Sequence, residues 1–273
     1  MQRWELLFRH PILFCTKQIR KIEKRKNEKI EKIEIDEDKR KYQSDVEKYI
    51  RLNQRDEFAF DKKYEYPFIS DWRKDAGYPG GYFWMDYWGA KNVIANHPKE
   101  HYDIGSRIDG FVSHMMLFPD IKLHIIDVRP LSKPLPGVHF CQADATNLEN
   151  IADESIESLS ALCSFEHFGL GRYGDPIDPE ACFKAFKASQ RVVKRGGYIY
   201  ICVPVGCNRV YFNAHRVFHP QVIIDEYDQC ECIEMSVIDP DADPVLRRVE
   251  DPMNYAPHPL VDCLEGLFIF RKR

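Results

Sequence analysis

Glycine is missing from the first 76 residues of this 273-residue chain, and proline occurs there only as Pro11 and Pro67. A segment so poor in helix breakers suits a long helix better than a set of loops. Long apolar runs are missing too. Nothing approaches the roughly 20 residues that cross a bilayer, and Leu6 to Phe14 is interrupted by Arg9, His10 and Pro11. That interruption, with no small-residue cleavage site behind it, argues against a secretory signal. There is no basic excess: the net charge is −4, which gives no reason to expect nucleic acid. The nine cysteines lack framework spacing, and neither Cys230-Glu231-Cys232 nor any histidine pair has metal-ligand spacing. They read as free thiols in a reducing cytoplasm, with no structural metal.

What the first 63 residues do contain is charge. Lys17 to Lys48 is dense in Lys, Glu and Ile, with Ile19, Ile22, Ile30 and Ile33 at helical spacings. Residues 1–33 hold ten Lys or Arg against four Glu, a net of +6, so the rest of the chain carries −10. Two readings stay open for this extension. Its isoleucine stripe packs on the rest of the protein or on a second copy, giving a homo-oligomer. Or the basic helix, with Trp4, Leu6, Leu7, Phe8, Ile12, Leu13 and Phe14, lies on an anionic membrane surface. Residues 64–98 form an aromatic-rich bridge ending in a helix from Tyr82 to Asn96.

From residue 99 to 273 the pattern changes to alternating strands and helices. Strand-like runs are His101–Ile104, Leu123–Asp127, Val138–Phe140, Ile156–Cys163 and Tyr198–Pro204; helical patterns cover Ile108–Phe118 and Pro179–Lys194. The alternation predicts an α/β fold with a doubly wound, mostly parallel sheet. An acidic helix, His219–Tyr227, follows, and Cys232–Ile238 and Leu267–Arg271 read as an antiparallel edge.

Ligands of such sheets bind outside the carboxyl ends of the strands. The first strand ends in Asp103-Ile104-Gly105-Ser106, where Gly105 permits a tight turn and the next helix offers free amides. The second ends in Asp127, placed to accept both hydroxyls of a ribose. The third is followed by Asp144-Ala145. Asp103, Gly105, Ser106, Asp127, Asp144 and Ala145 are therefore the candidates for holding a nucleoside-type cofactor.

The fourth strand leads into Ser164-Phe165-Glu166-His167-Phe168-Gly169-Leu170-Gly171-Arg172-Tyr173-Gly174-Asp175, with three glycines in six residues among acids, a base and a phenol. A core element has no use for so many polar groups at a strand end. His167 and His215 are candidate bases, with Glu166 and Asp175 to orient or assist. Arg172, Tyr173, Asn213 and Arg216 are candidate substrate contacts, the arginines suited to phosphate or carboxylate. Both segments are expected to converge on one pocket.

In their order, these residues resemble class I S-adenosylmethionine-dependent methyltransferases. Asp103-x-Gly105 looks like the family's first motif, Asp127 like its ribose acid and Asp144 like its adenine-side acid. Phe165-Glu166-His167 looks like "LEH", and Arg191-Val192-Val193-Lys194-Arg195-Gly196-Gly197 is similar to "RVLKPGG". Within that superfamily the chain looks closest to an uncharacterised methyltransferase-like domain family of bacteria and nematodes, whose members often lie near surface-polysaccharide genes. The resemblance implies a Rossmann-like methyltransferase fold, S-adenosylmethionine as cofactor and methyl transfer to a sugar, glycan intermediate or similar small polar molecule. A non-catalytic or differently reactive protein of polysaccharide assembly is the alternative. It is kept open by Arg107 and Asp109, which stand where that first motif has glycines, with Gly110 one position late.

Overall fold

The computed structural model describes residues 11–273 except 75 and 78, with side chains described from residue 32 onward. The apolar run from Trp4 to Phe14 and the isoleucines before Ile33 lie outside the described side chains. The chain divides into two compact units, Met1–Tyr78 and Pro79–Arg273. In the first, helix α1 spans Pro11–Leu52. Single turns at Asp56–Phe58, Lys62–Tyr64 and Asp71–Arg73 follow it. Arg73 reaches back to α1, its Nε donating to Asp38 at 2.6 Å and its Nη2 to Glu37 at 3.0 Å. Its guanidinium also covers Trp72. Among the described residues no helix is long and apolar enough to cross a membrane.

The second unit starts with helix α2, Gly81–Asn96. The aromatic helix thus belongs to the α/β unit, not to a bridge before it. Met85, Trp88, Gly89 and Val93 recur at helical spacing on its buried face. Gly89 is needed there because a Cβ would meet Leu162 at 2.7 Å and the Phe111 ring at 3.2 Å.

Eight strands form one sheet in the order β3-β2-β1-β4-β5-β10-β8-β9. The parallel part comprises β1 (Glu100–Ile104), β2 (Lys122–Asp127), β3 (Val138–Gln142), β4 (Ile156–Leu162) and β5 (Val193–Gly206). The antiparallel part comprises β8 (Cys230–Ile238), β9 (Leu246–Arg248) and β10 (Cys263–Lys272). This is a Rossmann-like sheet with an antiparallel edge, its order reversing between β1 and β4. Pleating divides β5 between two cores. Ile199, Ile201 and Val203 join one with helix α4 (Ala181–Val192); Tyr200 and Cys202 join the other with α2.

Two elements depart from the sequence pattern. The helix expected over 108–118 opens as a wide turn, Ile108–Val112, before a short α3, Ser113–Met115. The cause is Gly110, at φ −116 and ψ −108, where a Cβ would lie 2.0 Å from Asp86 Oδ2. A small hairpin, β6 (Arg209–Tyr211) with β7 (His215–Val217), precedes α5 (Pro220–Glu226).

Candidate functional site

A cleft opens at the carboxyl ends of β1 to β4, with about 870 Å³ of space including its mouth. Gly105, Asp127, Arg129, Asp144, Ala145, Thr146, Ser164, His167, Tyr173 and Asp175 are among its lining residues. Gly105 turns the chain at φ +70, and a Cβ on it would lie 3.1 Å from that of Ser164. Of the six cofactor candidates, Gly105, Asp127, Asp144 and Ala145 line the cleft. Asp103 and Ser106 do not. Asp103 is fully buried below the loop, where it accepts bonds from Ser106 N at 3.1 Å, Ser106 Oγ at 2.7 Å and Ser160 Oγ. Burial raises its carboxyl to about 6. Its place is to tie the turn rather than to touch a ligand, because the pleat that buries His101 turns Asp103 to the same side.

Asp127 accepts from Arg129 N at 2.8 Å, Nε at 3.0 Å and Nη2 at 2.7 Å. The Arg129 guanidinium then lies over the Tyr173 ring at 4.6 Å, linking the β2 tip to the loop after β4. Asp144 accepts from Thr146 N at 2.8 Å. Ser164 Oγ is buried and has no partner among the described residues. The sequence reading passed over Arg129 and Ser164, although each stands within two residues of a singled-out position.

The loop after β4 is held by its own polar groups. Asp175 accepts from Gly169 N at 2.7 Å, Gly171 N at 3.3 Å and Tyr173 N at 3.2 Å. Arg216 is buried, donating to Phe168 O at 2.6 Å and Pro179 O at 3.2 Å. Asn213 donates to Leu170 O at 3.3 Å. Asp175, Arg216 and Asn213 therefore hold the loop's backbone, and the two segments do meet. His215 stands on β7 against Tyr211, outside the cleft lining, and Arg172 covers the outer face of Tyr173.

His167 and Glu166 form the chemically distinctive pair. His167 Nδ1 lies 2.6 Å from Ala214 O, a carbonyl that only accepts, so Nδ1 carries the proton and Nε2 the lone pair. Nε2 is 3.4 Å from Glu166 Oε1. Burial pushes the imidazole down to about 4 and the Glu166 carboxyl up to about 8. Near neutral pH both are uncharged, and a protonated Glu166 can donate to Nε2. Glu166 Oε2 is buried without a partner among the described residues.

The bulky Arg107 leaves the cleft clear. Its guanidinium pairs with Asp109 at 2.9 Å and covers Tyr82 at 4.7 Å. Away from the cleft lining, Asp239, Asp241 and His258 bring ligand-type atoms within 4.8 Å of one another. The group combines the close pair Asp239 and Asp241 with His258 from a separate loop, so sequence spacing alone does not reveal it.

The fold and cleft define an α/β protein with a Rossmann-like sheet and a ligand-sized cleft at its strand tips. A family model described as a Caenorhabditis protein of unknown function matches residues 141–224. No curated protein matches the sequence. Among solved structures, the cyclase SpnF is 14% identical at a TM-score of 0.49, covering 69% of this chain and 80% of that one. The 1,6-didemethyltoxoflavin-N1-methyltransferase of Burkholderia thailandensis, with S-adenosylhomocysteine bound, is 12% identical at 0.48, covering 69% and 78%. An S-adenosylmethionine-dependent methyltransferase from Clostridium acetobutylicum is 13% identical at 0.45, covering 71% and 92%. The likeness is one of fold.

Proposed function

We propose that the protein transfers a methyl group from S-adenosylmethionine to a polar acceptor, a sugar, glycan intermediate or similar metabolite. The observation that carries this reading is the cleft itself. A glycine turn at φ +70, two acids at successive strand tips and an unpartnered buried hydroxyl converge there. Gly105 lets a ligand approach the backbone, and Ser164 Oγ awaits a polar partner. Asp127 Oδ2, which accepts only from Arg129 Nη2, keeps room for a ribose hydroxyl. Asp144 and Ala145 would border the base.

The bound cofactor supplies an electrophilic methyl group. The chain's own residues hold the acceptor in line and move its proton. Glu166 is the group with proton affinity near working pH; His167, fixed by Ala214 O, presents its lone pair to Glu166. Asp175 and Arg216 keep the loop in shape.

Calorimetry with S-adenosylhomocysteine tests the cofactor half. Asp127→Ala should weaken binding at least about tenfold, equal to about 1.4 kcal/mol. Absent heat with wild-type protein at millimolar ligand would sink the reading.

We assign self-association, not catalysis, to α1, which exposes Ile33, Ile35, Ile50 and Leu52. Light scattering of the full chain should show a dimer or larger species, and Ile33→Glu with Ile50→Glu should shift it toward monomer. Unchanged mass together with lost vesicle binding would favour the membrane-surface role and a protein peripheral to the membrane in the cytoplasm.

A further inference from the structure

The acceptor's reacting group follows from what surrounds Glu166, and the inference rests on the methyl-transfer reading. Glu166 is 2% exposed, and its Oε2 has no donor among the described residues. An acceptor atom in that position calls for an N–H or O–H from a ligand. Glu265 pairs with Pro204 of β5 across the β10 ladder and turns its carboxylate toward the start of α2. Its Oε1 comes so close to Gly81 of α2 that a Cβ there would lie at 2.7 Å. Glu166 and Cys163 both feel the Glu265 charge. Among the described residues the Glu265 carboxylate has no hydrogen bond or ion pair.

The nearby cations are committed elsewhere. Arg172 donates to Ala214 O and covers Tyr173. Arg107 pairs with Asp109 and covers Tyr82. The groups that bear on Glu166 are Cys163 at the end of β4, Glu265 on β10, Tyr82 on α2, and Arg172 and His167 in the loop. Two carboxyls, one of them buried with an oxygen that no donor reaches among the described residues, make a receptor for a positive charge.

We propose that this space receives an amine, and that the acceptor atom methylated is an ammonium nitrogen held between Glu166 and Glu265. An ammonium brings three donors and no acceptor, which satisfies the orphaned Oε2 and the Glu265 carboxylate together; a hydroxyl brings one donor. The proton affinities also match. The Glu166 carboxyl, raised by burial to about 8, stands close to an α-amino group at about 7.7–8.0.

The sequence of events balances. A bound ammonium drives the Glu166 proton to solvent, leaving two carboxylates around one cation. Glu166 then takes one proton from the ammonium and frees the nitrogen lone pair. The lone pair bonds to the methyl carbon as the carbon–sulfur electron pair returns to sulfur. The product is a methylated ammonium and a neutral thioether, and the proton on Glu166 goes to solvent.

The test uses the full chain and two separate readouts. Heat from S-adenosylhomocysteine reports on the cofactor reading alone. The Glu166 carboxyl is then followed by carbon-13 NMR against pH in methylammonium chloride, in sodium chloride, and in sodium chloride with methanol, at equal ionic strength. Methylammonium should lower the midpoint by about one pH unit or more, while the other two solutions leave it unchanged. Glu265→Gln, if its melting temperature matches wild type, should remove most of that shift. Identical midpoints in all three solutions overturn the amine site whatever the calorimetry shows. Missing heat with the methylammonium shift intact overturns the cofactor reading and leaves the amine site standing.

Discussion

Replacing Glu166 with glutamine is expected to cut turnover by about 10²–10⁴ while making the fold more stable above neutral pH. The two effects have one origin. In the folded chain burial raises the Glu166 carboxyl from 4.5 to about 8. Below about pH 4.5 the group is protonated whether the chain is folded or not, and it contributes nothing to the pH dependence. Between 4.5 and about 8 the folded state binds the extra proton, so stability falls as pH rises; above about 8 the loss is complete. The neutral amide escapes that loss, on the order of 4 kcal/mol at about pH 8. It can also donate to His167 Nε2, copying the protonated acid. Denaturant unfolding of both proteins at about pH 5 and pH 8.5 checks the sign: the glutamine variant should gain only at the higher pH. In wild type, kcat/KM should climb with pH through about 8 as the base ionises. A flat profile, or a variant equally stable at both values, would remove Glu166 from the role of base.

Much of the cleft could be read from sequence because its parts are local to strand ends. Each of Asp103, Gly105, Asp127 and Asp144 sits where a strand run stops. The strand runs themselves show as apolar stretches of the right length. What the pattern could not say is which acid faces the ligand. Asp103 and His101 are two residues apart on one strand, so they share a face, and that face turns into the β1–β4 interior. Asp127 is only partly buried at its strand end and lines the cleft. Tertiary reach decides the rest. Arg216 offered a cation for an anionic substrate, yet its donors go to the carbonyls of Phe168 and Pro179. Glu265 and Tyr82 lie far from Glu166 in sequence and influence it only through the fold, by way of the β10–β5 register and the packing of α2. The altered glycine run is explained by the same packing. Asp86 of α2 fills the space over Gly110, so the glycine is required one position later than the resemblance suggested.

The loop that carries Glu166 and His167 depends on a single glycine, and Gly169→Ala should disable both folding and binding. Gly169 adopts φ +74, a left-handed conformation that costs an ordinary residue about 1–2 kcal/mol. Its neighbours are closer than any side chain tolerates. A Cβ would lie 1.8 Å from Asp178 O and 2.8 Å from the Ala181 Cβ. To relieve that overlap the start of α4 must move away from the loop. The bond from Asp178 N to Gly169 O, at 3.1 Å, and that from Gly169 N to Asp175, at 2.7 Å, would both be strained. Overlap of this kind adds about 1–3 kcal/mol, for a total of roughly 2–5 kcal/mol. Asp175, Asp178 and Ala181 all line the cleft, so S-adenosylhomocysteine affinity should fall with the stability. Gly174→Ala supplies the comparison within the same loop. Gly174 has φ +82 but nothing within 4 Å of a Cβ, so only the backbone cost applies, about 1–2 kcal/mol. Urea unfolding and calorimetry on the two variants separate the causes. Equal losses for both would show that backbone conformation alone, and not the approach of α4, makes glycine necessary at position 169.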